Sequence, residues 1–585
     1  MSCDARNQQQ WADRLIDELV RCGVELFCLA PGSRSTPLVM AIARHPQAKA
    51  VMHYDERGAA FLALGYGRAT GQPAAWVTTS GTAVANGFPA VVEASQDEVP
   101  LLLLTADRPP ELRDTGANQT IDQVKLFGTY VRWQFELPVP DADLDLHFLQ
   151  TTIDQAVYRS RRSPAGPVHL NCPFREPLVP EPEQLERSIT AASHVPYTYY
   201  AMPVTAPDPE MVDHLAGLFR SVSQGLLIAG RLRRAEAAAA LQQLAWQLGW
   251  PLLPDITSGL RLAPSGFPQV PFYELLLYDP LRAAEVLKPE VVVHLGGRFV
   301  SKRLAQFLKA ARPRCYVHVH DSPVRLDPDH QVTHRLEADV TLFCQQLAEA
   351  LPPAHPPSAW AQHWHAANEA LQATLEVQFQ QEMLLEEPDV AWHLGRWLPP
   401  SHGLVLASSL PVRLMQAWSA LPTAPPPVAA NRGASGIDGT VATAAGFSIG
   451  LARPVTLLIG DLALLHDLNS LALLREQPVV VIVLNNNGGG IFSFLPIARH
   501  TEVFEPFFGT PHGLRFEHAA ALFGLSYAAP QTLAQLEQAY TEACANATPT
   551  LIEVCTKRAR TILRWQKLEA ALQPVRQAFY SPPSS

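Results

Sequence analysis

The stretch on which this chain turns is Gly460-Asp461-Leu462, then a helix-like segment, then Val479-Val480-Val481-Ile482-Val483-Leu484 running into Asn485-Asn486-Asn487-Gly488-Gly489-Gly490-Ile491-Phe492. An apolar strand, a helix and a second apolar strand make one unit of a parallel sheet. Such strands usually end in a turn, but here one ends in a carboxylate and the next in three amides and three glycines. In a parallel sheet the C-terminal strand ends open on a common crevice, which is where ligands bind. Carboxylate, amide and backbone oxygens are hard ligands of the kind Mg²⁺ takes, the rest of its octahedron being filled by water and phosphate oxygens. The segment after Asp461 presents a helix N-terminus, which favours an anion. Taken singly, the Asn-Gly run reads as a loop and Gly-Asp as a helix cap. The combination reads as a clamp for a metal-bridged diphosphate.

Outward from this stretch, short apolar runs alternate with helix-like segments in three sets. The first holds Val24 to Leu29, Ala75 to Thr78, Leu101 to Leu104 and Pro167 to Leu170. The second holds Leu226 to Ala229, Val291 to Leu295 and Tyr316 to His320. The third holds Leu404 to Leu406, Val455 to Ile459, Val479 to Leu484 and Leu551 to Val554. Continuous apolar runs are strands buried on both faces, and their alternation with helices predicts an α/β protein of doubly wound parallel sheets. Residues 181–209 are polar and aperiodic, and residues 351–357 are too rich in proline for a helix or central strand. These breaks predict domains at about 1–185, 205–350 and 358–585. The Pro-rich residues 422–427 read as a loop inside the third domain.

The 585 residues are too many for one core. A net charge of −10 gives no reason to expect a nucleic-acid or membrane-surface partner, so anionic substrates would need local arginines. The eight cysteines are scattered without a Cys-x-x-Cys pair, which fits reduced thiols in the cytoplasm. Residues 1–10 are polar and lack a secretion-signal core, and no apolar run reaches the ~20 residues of a membrane span.

The first domain carries further motifs. Pro31-Gly32-Ser33-Arg34-Ser35-Thr36-Pro37 follows a strand and could cradle an anion with backbone N–H groups and a guanidinium fork, or simply start the next helix. His53-Tyr54-Asp55-Glu56-Arg57-Gly58 leads into a helix of small residues; alone, Glu56 reads as a surface carboxylate. Thr79 to Gly87 is a turn of small residues suited to close packing. Leu104 to Pro110, with Asn118 and Gln119 beyond, brings a basic and two neutral hydrogen-bonding groups to one crevice.

In chain order, Pro31 to Pro37, Asp55 to Gly58, Thr105 to Arg113, Asn118-Gln119-Thr120, Asn431-Arg432-Gly433-Ala434-Ser435-Gly436-Ile437-Asp438-Gly439, Gly460 to Leu462 and Asn485 to Phe492 closely resemble the 2-succinyl-5-enolpyruvyl-6-hydroxy-3-cyclohexene-1-carboxylate synthase family of thiamine-diphosphate (ThDP) enzymes. The 24 positions from Asp461 to Asn485 resemble the general ThDP fingerprint, with Leu462 where Gly is usual. The resemblance implies pyrimidine-binding, central and diphosphate-binding domains. It implies a homo-oligomer, a dimer or a dimer of dimers, whose site lies between two subunits. Glu56 would activate the cofactor's aminopyrimidine ring by sharing a proton with it, best from a water-poor pocket. Asp461, Asn486 and the Gly488 carbonyl would hold Mg²⁺, with Mn²⁺ as an alternative. Ile437 would prop the cofactor, Ser409, Leu462, Ile491 and Phe492 would contact it, and Leu495 would join Ile491 and Phe492 in lining the reaction pocket. The implied reaction is decarboxylation of 2-oxoglutarate and 1,4-addition of the remaining unit to isochorismate, in menaquinone biosynthesis. Both substrates are dicarboxylates, for which Arg34, Arg108, Lys302, Arg303, Arg413 and Arg432 are the candidate cations and Ser33, Asn118, Gln119 and Ser409 the neutral partners. Ser408 stands where the family often has Asn. Any of the cations could instead serve a structural ion pair.

Two other readings compete. One is a different ThDP enzyme, a 2-oxoacid decarboxylase or a carboligase of the acetolactate synthase type; the chain lacks the adjacent His-His pair of the pyruvate decarboxylase type. The other is a non-catalytic nucleotide- or flavin-binding protein, against which stands the joint presence of Glu56, Asp461 and Asn486.

Overall fold

The computed structural model describes residues 5–181, 195–264, 266–354 and 356–581. Residues 182–194 of the first linker, Cys3 and the last residues of the short tail lie outside them.

Three all-parallel sheets organise the chain. The first runs in the order β2 (Lys49–Met52), β1 (Leu26–Leu29), β3 (Ala74–Thr78), β4 (Leu101–Asp107), β6 (Pro167–Pro173), β5 (Trp133–Glu136). The central sheet runs β11 (His334–Glu337), β10 (Cys315–His320), β9 (Val291–Leu295), β7 (Gly225–Ala229), β8 (Leu252–Pro254). The third runs β13 (Val428–Ala430), β12 (Gly403–Leu406), β14 (Val455–Gly460), β15 (Val479–Asn485), β17 (Thr550–Cys555), β16 (Ser526–Ala528). The first and third sheets have the same strand order, so the chain contains one fold unit twice.

Alternating side chains of each central strand enter different cores, as a sheet covered on both faces requires. Along β15, Val480, Ile482 and Leu484 enter a core shared with the central domain, while Val479, Val481 and Val483 enter one shared with the first domain. Along β4, Leu101 and Leu103 enter that second core, and Leu102 and Leu104 a core of the first domain's own. The third sheet is thus packed between the other two domains.

The joint between the outer domains is a crossing of two equivalent helices, Glu56–Thr70 after β2 and Thr440–Leu451 after β13. Glycines let their backbones touch. A Cβ on Gly65 would lie 2.2 Å from the Thr443 carbonyl oxygen, and one on Gly446 would lie 2.0 Å from that of Leu62. Neither oxygen can swing aside, so the helices would have to part. Gly446→Ala is therefore expected to destabilise the fold by about 1–3 kcal/mol, the usual cost of an overpacked core. A thermal melt checks this, and an unchanged Tm would show that the crossing is loose.

Among the described residues, Cys22, Cys28, Cys172, Cys315, Cys344, Cys544 and Cys555 are free thiols, and no helix is long and apolar enough to cross a membrane.

Candidate active site

Asp461 follows β14 and Asn486 follows β15, at the C-terminal edge of the third sheet. The Asp461 carboxylate is buried. Its Oδ1 accepts the Leu462 N–H at 2.7 Å; its Oδ2 accepts the Gly488 N–H at 2.8 Å and lies 3.1 Å from His512 Nε2. Gly488 has φ +129, and a Cβ there would lie 1.8 Å from the Gly509 carbonyl oxygen, so only glycine brings this peptide against the carboxylate.

The three consecutive asparagines do three different jobs. Asn485 Nδ2 donates to Glu553 Oε1 at 2.6 Å, tying β15 to β17. Asn487, at φ +62, accepts the N–H groups of His512 and Gly513 at 3.0 and 2.7 Å and so holds that loop beside the site. Asn486 Nδ2 donates to Glu387 Oε1 at 2.8 Å, while its Oδ1 is buried with no hydrogen-bond partner. A buried acceptor without a donor is costly and calls for an explanation. An amide oxygen, like the carboxylate of Asp461 and a peptide carbonyl, is a hard donor of the kind Mg²⁺ takes.

Below these residues the loop from Asn431 to Gly439 enters the crossed helix Thr440–Leu451. Gly439 offers no side chain to cap that helix, and a Cβ there would strike Phe61 at 2.0 Å. The cap comes instead from Asp467, which accepts the N–H groups of Val441 and Ala442 at 2.7 and 3.1 Å. Burial lifts the Asp467 carboxyl to about 6. Ile437 packs on the core shared with the first domain. Glu93 of the first domain accepts the Gly433 and Ala434 N–H groups at 2.8 and 2.7 Å, fixing the other end of the loop.

After β12, Ser409 takes φ +71 and ψ −123, a strained conformation for a residue with a side chain. The Arg413 guanidinium donates to its carbonyl. Ser408 donates to the Asn431 carbonyl at 2.9 Å, so here the serine bridges β12 and β13. Burial and the charge of Arg432 lower the Arg413 pKa, placing these two cations within electrostatic reach of one another. Leu462, Ile491 and Phe492 are half-buried beside the site, and Leu495 is exposed.

At the C-terminal edge of the first sheet, Arg108 donates to Ser80 Oγ and to the Gln119 carbonyl at 3.1 Å. Gln119 adopts φ +54 and returns a hydrogen bond from Nε2 to the Ser80 carbonyl at 2.9 Å. Desolvation and the facing charge of Arg34 lower the Arg108 pKa. Arg34 is buried and donates to the Phe174 carbonyl and to Glu176 Oε1, each at 2.9 Å. Ser33 and Asn118 are exposed. Glu56 opens the helix Glu56–Thr70, half-buried, with Asn86 Nδ2 at 3.2 Å from its Oε2. The flanking residues are tethered to the third domain: Asp55 to Asn469, and Arg57 to the His466 carbonyl at 2.8 Å.

In the central domain Lys302 is exposed at the start of the helix Lys302–Ala311. Arg303 donates to the Glu274 carbonyl at 3.1 Å and to Glu569 at 3.3 Å, and lies over the Tyr278 ring at 4.9 Å. Its charge is already answered within the chain, in the kind of structural ion pair the sequence left open.

Residues 9–126 match the family model "Thiamine pyrophosphate enzyme, N-terminal TPP binding domain", residues 190–406 "Middle domain of thiamine pyrophosphate", and residues 414–554 "Thiamine pyrophosphate enzyme, C-terminal TPP binding domain". The chain is 54% identical over 564 residues to the 2-succinyl-5-enolpyruvyl-6-hydroxy-3-cyclohexene-1-carboxylate synthase of Rubrobacter xylanophilus, covering 96% of this chain and 98% of that one. It is 53% identical over 572 residues to that of Salinibacter ruber, covering 96% of each. The chain belongs to the 2-succinyl-5-enolpyruvyl-6-hydroxy-3-cyclohexene-1-carboxylate synthase family. It is accordingly a thiamine-diphosphate-dependent enzyme. Benzoylformate decarboxylase from Polynucleobacter necessarius shares the fold, with a TM-score of 0.71 at 17% identity over 94% of this chain and 98% of that one.

Four residues around this synthase-family site escaped the sequence reading. Glu387 holds the Asn486 amide, His512 faces Asp461, Asp467 caps the helix after the Ile437 loop, and Glu93 pins that loop from the first domain. None lies in a motif that points to its partner. Burial, with the Asp461 carboxylate nearby, lifts the Glu387 carboxyl to about 7 against the hydrogen bonds from Asn486 and Thr556.

Proposed function

We propose that the chain decarboxylates 2-oxoglutarate and adds the remaining four-carbon unit to isochorismate, forming 2-succinyl-5-enolpyruvyl-6-hydroxy-3-cyclohexene-1-carboxylate for menaquinone biosynthesis. The observation that carries this reading is the gathering of cations at the strand ends of both outer sheets, Arg34 with Arg108 and Arg413 with Arg432, in a chain that is 54% identical to a synthase of that name. Two dicarboxylate substrates need such groups, and a charge-assisted hydrogen bond to a carboxylate is worth about 1.5–3 kcal/mol.

In this reading Asp461, Asn486 Oδ1 and the Gly488 carbonyl hold Mg²⁺, or Mn²⁺ with the same oxygen preference, against the cofactor's diphosphate. Thiamine diphosphate, once bound, supplies the carbon nucleophile and accepts the electron pair left when CO₂ departs. Glu56 holds and returns the proton on the aminopyrimidine ring. Ile437 would support the cofactor from the core beneath the loop, and Ser409 and Leu462 would contact it. Ile491, Phe492 and Leu495 exclude water from the reacting atoms. Ser33, Asn118 and Gln119 orient the substrates, whose carboxylates meet Arg108, Arg413, Arg432 and Lys302, with Arg34 beside Arg108; Arg303 stays in its structural ion pair.

Glu56 serves the site of one subunit while Asp461 serves that of another, in a homodimer or dimer of dimers. The apolar surface around each half supports this: Met52 and Tyr54 near Glu56, and Phe494, Leu495, Phe507 and Leu514 near Asp461, are exposed in the single chain. The unpaired thiols fit a cytoplasmic setting.

Incubation with ThDP, Mg²⁺, 2-oxoglutarate and isochorismate is expected to give CO₂ and the succinylated cyclohexene adduct, read by mass. CO₂ released from another oxoacid, with no adduct, would overturn the assignment and favour a different ThDP carboligase.

A further inference from the structure

An asparagine side chain has two ends of nearly equal shape, and hydrogen bonding decides which way it faces. At Asn486 the choice decides whether the metal site receives an oxygen or an NH₂ group. Only one end has a partner: Nδ2 donates to Glu387 Oε1 at 2.8 Å, and Oδ1 is buried without one. Glu387 is 1% exposed, so water does not compete for that bond. The same Oε1 accepts from Thr556 Oγ1, which follows β17, at 3.3 Å. Glu387 also stands on a firm base. It opens the helix Glu387–Trp397, where Glu386 pairs with Arg560 at 2.7 Å and Asp389 with the buried Arg564 at 2.7 Å. The helix start that carries Glu387 is thus anchored on both sides of it, and the carboxyl meets Asn486 and Thr556 through Oε1, its Oε2 being buried without a partner.

We infer that Glu387 is a positioning residue for the metal site: an acceptor behind Asn486 that turns Nδ2 away and presents Oδ1 to the cation. The inference rests on the metal reading of Asp461, Asn486 and Gly488. Without the acceptor, the amide loses its preferred orientation, and turning either end toward Glu387's place leaves a buried polar group unpaired. Outer-shell partners of metal ligands are typically worth 10–100-fold in metal affinity. Gln at 387 keeps an acceptor at the same reach; Ala removes it.

The test measures the Mg²⁺ concentration needed for half-maximal ThDP binding, by calorimetry on the purified full chain, alongside a thermal melt. Glu387→Ala is expected to raise that concentration by about tenfold or more, and Glu387→Gln by no more than about threefold. A second pair reads the same contact in reverse polarity. Asn486→Asp faces Glu387 with a second carboxylate and no donor, and Glu387→Gln added to it supplies the missing N–H. The double variant is expected to need about tenfold less Mg²⁺ than Asn486→Asp alone. If Glu387→Ala does not fold, this pair decides. Folded Glu387→Ala with the parent's Mg²⁺ requirement overturns the inference, as does Glu387→Gln as weak as Glu387→Ala, or a double variant no better than the single. ThDP binding by the parent that ignores Mg²⁺ would instead remove the metal reading itself, and Glu387's role with it.

Discussion

Glu56→Gln is expected to leave the fold and ThDP affinity nearly unchanged while lowering turnover by about 10²–10⁴-fold, the range over which a positioned acid–base group acts. The substitution is nearly isosteric. Asp55, not Glu56, caps the helix, accepting the Arg57 N–H at 2.9 Å, so the helix start survives. An amide oxygen at 56 can still accept from Asn86. What it cannot do is pass a proton to and from a ring nitrogen. Calorimetric ThDP binding together with steady-state kcat checks this, and near-normal kcat would remove Glu56 from the proton-transferring role.

Asp461→Ala is expected to abolish the Mg²⁺ dependence of ThDP binding and weaken it by more than about 100-fold, since even outer-shell changes at metal sites cost 10–100-fold. Asp461 is the one charged group in the proposed ligand set. Its loss also strands the Gly488 N–H and leaves His512 facing a void. Asp461→Asn separates the two effects, because it keeps an acceptor for Gly488 and removes the charge. Calorimetric titration of ThDP at saturating Mg²⁺ is the measurement. Unchanged affinity in both variants would exclude Asp461 from the ligands.

All eleven apolar runs read from the sequence are strands, and each has a neighbour on both sides. Six strands were not legible: Lys49–Met52, Trp133–Glu136, Leu252–Pro254, His334–Glu337, Val428–Ala430 and Ser526–Ala528. They are the two edges of each sheet. An edge strand pairs on one side only, so its sequence need not be a continuous apolar run. His334–Glu337 buries one residue of four. The site divides the same way. Residues that would meet the cofactor sit in contiguous loops at strand ends and so appear as strings. Residues that hold those loops come from elsewhere: Glu387 lies 99 positions from Asn486, and Glu93 lies 340 from Gly433. Their contacts exist only in three dimensions. Arg303 shows the opposite limit, since a basic residue in a motif reads the same whether its partner is a substrate or Glu569.

The matching strand order of the outer sheets, joined at a crossing of equivalent helices, is the form a domain takes when it pairs with its own duplicate. In such an ancestor both halves would have carried one sequence, and every change in one would have appeared in the other. Two copies carried within one chain are free of that constraint. The segment at the end of the third strand of the unit can then be Thr79-Ser80-Gly81 in one half and Gly460-Asp461-Leu462 in the other. The two copies of that segment are thereby separately heritable, while the glycine contact keeps the two helices in register.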